Sequence, residues 1–96
     1  MPLNVPDRVL RDIKYFAQKN GVKKVILFGS RARGTNRERS DIDIAVSGGN
    51  YLDFYDDINE RAYTLLMFDI VDLDRTIGEK LQSEIDRDGI LIYGED

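Results

Sequence analysis

The sequence predicts one α/β domain of the α+β kind, a small mixed sheet packed against helices. Three observations predict it. Apolar residues recur at helical and strand periods in turn, in the order α-β-loop-β-α-β-α-β, the pattern of layered α/β domains. The chain is 96 residues long, the size of one domain spanning 1–96, with 42% hydrophobic residues for one modest core. The first two strands are joined by a polar loop too short for a helical crossover, so they pair antiparallel and the sheet is mixed.

Residues 6–19 place Val9, Leu10, Ile13, Phe16 and Ala17 on one helical face. Asn20-Gly21 stops that helix, glycine accepting the left-handed cap conformation. Residues 22–29, "VKKVILFG", form a strand rich in β-branched residues. Residues 30–40, "SRARGTNRERS", are a loop that opens with a helical turn, and 41–46, "DIDIAV", are a second strand closed by Ser47-Gly48-Gly49. Leu52, Tyr55, Ile58, Ala62, Leu65 and Leu66 carry a helical period across 51–66. A third strand covers 67–74, "MFDIVDLD". Residues 76–89 form a helix with Ile77, Leu81 and Ile85 four apart, Thr76 and Glu79 at capping-box spacing, and Gly89 to end it. "ILIY" is a short last strand.

The chain has no cysteine and no histidine. Disulfides, Cys/His zinc sites, thiol nucleophiles and imidazole bases are excluded, and a bound metal must take oxygen ligands. Net charge is −4, against a general nucleic-acid binder. The basic residues Arg31, Arg33, Arg37 and Arg39 nonetheless crowd one loop. No apolar run is long enough to span a membrane and no basic-then-apolar leader opens the chain, so a cytoplasmic location is expected.

Asp41 and Asp43 stand one residue apart in a strand. Alternation points both to one face and sends Ile42 and Ile44 to the other, with the acids roughly 6–7 Å apart at Cα. Two such charges 4 Å apart repel by ~4 kcal/mol at an effective dielectric near 20. A cation relieves that cost; a solvated edge strand is the plainer explanation of a bare Asp-x-Asp. Here Gly29-Ser30 ends the neighbouring strand at the same end of the sheet, and a Gly-Ser turn suits phosphate oxygens. Phosphate donors beside an acid pair describe a nucleoside triphosphate site. A third acid would complete a two-metal site. Asp69, set between Phe68 and Ile70, is favoured over Asp72, and Asp74 reads as a strand end. Gly29 to Gly34 begins a Walker A spacing, but Thr35-Asn36 follows where Lys-Ser/Thr is required, so a P-loop is excluded.

"LFGSRARG", "SDIDIAV", "FDIVDLD" and "EIDRDGILIY" together resemble the DNA polymerase β-type nucleotidyltransferases, in the compact form of the minimal nucleotidyltransferases, MNT, over about Val22 to Tyr93. The resemblance implies a polymerase β-like fold. It implies that Gly29 and Ser30 hold a triphosphate, that Asp41 and Asp43 ligate Mg²⁺, and that Asp69 is a third ligand or the base for the acceptor. It offers Arg31 and Arg33 as phosphate contacts, with a solvated loop as the alternative for all four arginines. Ser40 reads as a turn cap. The family implies ATP as donor and a HEPN-class helical protein as partner, whose tyrosine receives AMP so that the chain acts as an antitoxin. With no further domain expected here to bind an acceptor, a partner or a homodimer must supply it. Tyr51, Tyr55 and Tyr63 could join such an interface or simply pack. The competing function is a catalytically silent antitoxin, or a nucleotide-binding subunit, that neutralises its partner by binding.

Overall fold

The computed structural model describes residues 4–95. Its elements run α1 (Asp7–Lys19), β1 (Lys24–Phe28), α2 (Ser30–Arg33), β2 (Ile42–Ser47), α3 (Tyr51–Arg61), β3 (Phe68–Asp72), α4 (Glu79–Asp88) and β4 (Ile90–Gly94). The strands form one sheet in the order β3-β2-β1-β4. β1 is antiparallel to β2 and to β4, while β2 and β3 are parallel. The mixed sheet expected from the short β1–β2 connection is present. The parallel β2–β3 pair is reached through α3, as a parallel pair requires.

Alternation along each strand divides the sheet into two faces. Val25 and Leu27 of β1, Ile42, Ile44 and Val46 of β2, Ile70 of β3 and Ile92 of β4 meet Val9, Ile13, Phe16 and Ala17 of α1 and Phe54 and Ile58 of α3. This is the main core, and the α1 stripe is the one its spacing predicts. The opposite face carries Ile26 and Phe28 of β1, Ala45 of β2 and Val71 of β3, packed with Ile85 and Leu81 of α4. By the same alternation Asp43 and Asp69 belong to this second face, which α4 covers together with Leu73 and Ile77.

Two boundaries differ from the periodic reading. α3 stops at Arg61, not at Leu66, and Ala62 is already extended (φ −64°, ψ 132°). One tertiary and one local bond capture the backbone there: Tyr63 N–H donates to the Asp12 carboxylate of α1 (2.8 Å) and Leu66 N–H to Thr64 Oγ1 (3.1 Å). The capping box at Thr76 and Glu79 does not form, because α4 begins at Glu79 with Gly78 as its cap and no side-chain cap bond. Gly89 does end α4, but not by a left-handed turn; its φ is −62°. A Cβ at Gly89 would lie 2.8 Å from Ile26 Cγ2, so glycine is needed to seat the end of α4 against β1.

Candidate active site

The site begins at the turn where β1 ends. Gly29 adopts φ 75°, ψ −158°, a conformation in which a side chain is strained. A Cβ there would lie 2.2 Å from Asp43 Oδ2. The Gly29 main chain therefore rests directly on the Asp43 carboxylate. Its carbonyl accepts from Ala32 and Arg33 N–H (3.1 Å each), which closes the single turn of α2 with Ser30 at its first position. The opening helical turn expected of the loop is this α2.

Asp43 pairs with Phe28 on one side and with Asp69 on the other. In a parallel register paired side chains share a face, so Asp43 and Asp69 stand side by side. Asp41 precedes β2 on the same face and is exposed, as is Asp69. Burial pushes the Asp43 carboxyl up to about 6, helped by the negative charges of Asp69, Asp41 and Glu84 and opposed by Arg33. Asp72 instead turns to Arg75 (3.6 Å) and accepts from Asp74 N–H (3.0 Å), and Asp74 accepts from Ser47 Oγ (2.9 Å) and Gly48 N–H (2.7 Å). Both serve turns, away from the Asp43–Asp69 pair.

The two arginines of α2 part company. Arg31 is buried, at 5% exposure, and donates to the carbonyls of Asn4, Glu38 and Ser40. A guanidinium committed in this way has no edge to offer a phosphate, so the expected Arg31–phosphate contact is set aside. Arg31 pins the loop that delivers Asp41. Arg33, two residues on, points elsewhere: its Nη1 meets Asp88 Oδ2 of α4 at 2.9 Å, and its side chain is 42% exposed. Residues two apart on a helix do not share a face, a signal in the sequence that the pair has different tasks. Arg37 and Arg39 are exposed. Ser40 Oγ accepts from Arg37 N–H (2.8 Å), the turn cap expected of it. Glu84 and Asp88 were not singled out by the sequence, since it is the packing of α4 on the sheet that brings Glu84 toward Asp43 and Asp88 to Arg33.

Among the described residues no group of three or more acids is placed to hold a metal ion together, so the expected three-acid set of Asp41, Asp43 and Asp69 is not assembled here. The donor set still fits Mg²⁺, which keeps several waters and takes one or two carboxylates together with substrate phosphates. Adjacent carboxylates, one held up by burial and then by its neighbours' charge, are a place where a cation lowers the energy.

A cavity of about 620 Å³ is lined by Pro6, Glu38, Arg39 and Thr64 to Met67. Arg39 is two residues from Asp41 and Met67 two from Asp69, so these two residues lead to the rim of the acid cluster, while Asp41, Asp43 and Asp69 do not line the cavity. Leu65 is fully exposed and Met67 largely so. Of the three tyrosines, Tyr51 packs and donates to Ile70 O (2.8 Å), Tyr55 is exposed, and Tyr63 lies beyond α3 beneath the Arg8 guanidinium, 4.1 Å from its ring centre.

Residues 11–96 match the family described as Polymerase beta, Nucleotidyltransferase. This chain belongs to that family. It is also similar to the Methanocaldococcus jannaschii protein MJ0604, which carries the name of a candidate protein adenylyltransferase, with 36% identity over 63 residues. That alignment covers 62% of this chain and 63% of the relative, so the chain spans less than two thirds of that protein's length. Among solved structures it is similar to a chain of a toxin–antitoxin complex crystallised with AMP-PNP, at TM-score 0.72 and 26% identity, covering 91% of this chain and 74% of the other. A complex of tri-AMPylated Shewanella oneidensis HEPN toxin with MNT antitoxin matches at TM-score 0.64 and 20% identity, covering 91% and 71%; at that identity the likeness concerns the fold.

Proposed function

We propose that this protein is a nucleotidyltransferase that moves AMP from ATP to an acceptor hydroxyl, a tyrosine of a HEPN-type partner, and thereby acts as an antitoxin. The observation that carries the proposal is the seating of the Gly29 main chain on Asp43, with Asp69 in register beside it. A triphosphate held at Gly29 and Ser30 then lies against carboxylates and not against neutral surface. Mg²⁺, held by Asp43 and Asp69 with Asp41 beside them, would supply charge neutralisation at the phosphates.

The residues of this chain do the rest. Gly29 and Ser30 orient the triphosphate. Asp69, exposed at the strand edge, takes the proton of the acceptor hydroxyl. The acceptor oxygen forms a bond to the α-phosphorus, the bond to the bridging oxygen breaks, and pyrophosphate leaves. Arg33 is the phosphate-facing cation. The acceptor arrives across the rim at Leu65 and Met67, whose exposure suits a surface covered by a partner. A partner-masking antitoxin without transfer would use that same rim but would not need the acid pair.

The test is a transfer assay with α-labelled ATP and Mg²⁺, read by intact mass, on the protein alone and with a HEPN protein. One AMP added to the partner, and lost with Asp43→Ala, supports transfer. Tight binding that blocks the partner with no mass added would establish masking instead.

A further inference from the structure

The geometry points to Asp88 as a positioning residue that fixes Arg33 to grip the pyrophosphate portion of the triphosphate. This deepens the nucleotidyltransferase reading and rests on it. Asp88 is the last residue of α4, and its side chain is only 7% exposed. Arg87 forks onto it, Nε to Oδ1 at 3.0 Å and Nη2 to Oδ2 at 2.9 Å. Arg33 Nη1 meets the same Oδ2 at 2.9 Å. The carboxylate is held on both oxygens, and these bonds pull its pKa down to about 2. It stays charged well below neutral pH.

Two guanidiniums share the Asp88 carboxylate, and Glu84 also acts on Arg87, so Arg33 holds only part of Asp88's charge. Asp88 therefore anchors Arg33 without cancelling it. Arg33 carries five donors, and Nη1 serves Asp88 while the side chain remains 42% exposed. Its charge reaches Asp43, so the guanidinium borders the acid cluster. It also closes the turn that starts at Gly29-Ser30. The other arginine of that turn, Arg31, is spent on carbonyls. An arginine fixed beforehand loses less freedom when an anion arrives. Gly89 completes the arrangement, since its missing Cβ lets the end of α4 come down on β1 and carries Asp88 to α2.

The experiment measures Mg²⁺-dependent binding of AMP-PNP and of AMP, with KM and kcat for transfer, in wild type, Asp88→Ala, Asp88→Glu, Arg33→Ala and Arg33→Ala/Asp88→Ala. Asp88→Ala is expected to weaken AMP-PNP and raise KM for ATP about tenfold, to leave AMP binding and kcat within about twofold, and to be partly rescued by Asp88→Glu. Added to Arg33→Ala it should change nothing further. Wild-type affinity in Asp88→Ala, or an equal loss for AMP and AMP-PNP, would overturn the role of Asp88 alone. So would a loss that persists in full without Arg33. Failure of wild type to bind AMP-PNP at all would overturn both this role and the nucleotidyltransferase reading. Should the Asp88 variants not fold, Arg33→Ala decides: AMP-PNP affinity unchanged from wild type overturns the proposal, and a tenfold loss specific to AMP-PNP upholds it.

Discussion

Asp43 is a residue whose chemistry and stability pull in opposite directions. Its carboxyl titrates at about 6 in the folded protein against an ordinary value of 3.8. Between those values the native state holds a proton that the unfolded chain has released. Stability without ligand therefore falls as pH rises through that window, and the penalty is complete above about 6. Asp43→Asn is expected to be more stable than wild type at pH 7.5 by roughly 1–2 kcal/mol after allowance for solvent screening, with the gain gone by about pH 4. Melting curves of both proteins in a chelator at the two pH values check this. Gly29→Ala should do the reverse, since φ 75° and the Asp43 carboxylate both reject a Cβ. A loss of about 1–3 kcal/mol is expected from the backbone alone. The two arginines of α2 separate in the same kind of measurement. Arg31→Met strands buried carbonyls and should cost about 3 kcal/mol in denaturant titration. Arg33→Met should cost about 1 kcal/mol, less than Arg31→Met, because the Arg33 side of its pair is solvated and Arg87 still holds Asp88, while weakening triphosphate binding. A serial reading of "SRAR" shows two arginines on different sides of a turn but not which side is buried.

At the scale of elements, α1 and β2 are legible because their patterns are strong. Val9, Ile13, Phe16 and Ala17 repeat at helical spacing, and Ile42 and Ile44 alternate with the acids; all six are buried. Ile13→Ala, at a site with no exposure, should cost about 2–5 kcal/mol by chemical denaturation. The end of α3 was illegible because Ala62, Leu65 and Leu66 continue the helical period while Asp12, far away in sequence, takes the Tyr63 N–H. The consequence is functional. Once α3 ends early, Leu65 stands exposed instead of lying along a helix, next to Met67, which is exposed just before β3. Leu65→Asp/Met67→Asp should leave folding and Mg-ATP binding intact and weaken association with a HEPN partner at least tenfold. Sedimentation or titration calorimetry with the partner reads that loss, and unimpaired association would place the interface elsewhere.

At the scale of the whole molecule, ligand binding and folding are linked through the acid cluster. Mg-ATP at 100 times its Kd should stabilise wild type by about 2.7 kcal/mol. Asp41→Ala/Asp43→Ala should show almost none of that shift, although the unliganded variant melts no lower than wild type. A shift equal to wild type would mean that the metal and triphosphate lie elsewhere. Acid acts through other groups: hydrogen bonds from Asn20 and Lys19 hold Asp57 low, bonds from Gly48 and Ser47 hold Asp74 low, and Arg87 and Arg33 hold Asp88 low. Their contributions are present above the usual carboxylate range and are lost as pH falls below it, for Asp88 down to about 2.

The order of elements, the mixed sheet, the face shared by Asp41 and Asp43 and the nearness of the Gly29-Ser30 turn were all determined by the sequence. Each follows from a local rule: apolar period, strand alternation, or the length of a connection. The apolar flanks of Asp69 favoured it over Asp72 as the third acid, but its place beside Asp43, which arginine is buried, and that Asp88 reaches α2 were decided by the tertiary structure. The β2–β3 register aligned Asp69 with Asp43, burial claimed Arg31 for carbonyls, and α4 packing carried Asp88 to Arg33 across 55 positions of chain. Register, burial and helix packing join residues far apart in sequence, so no local period contains them.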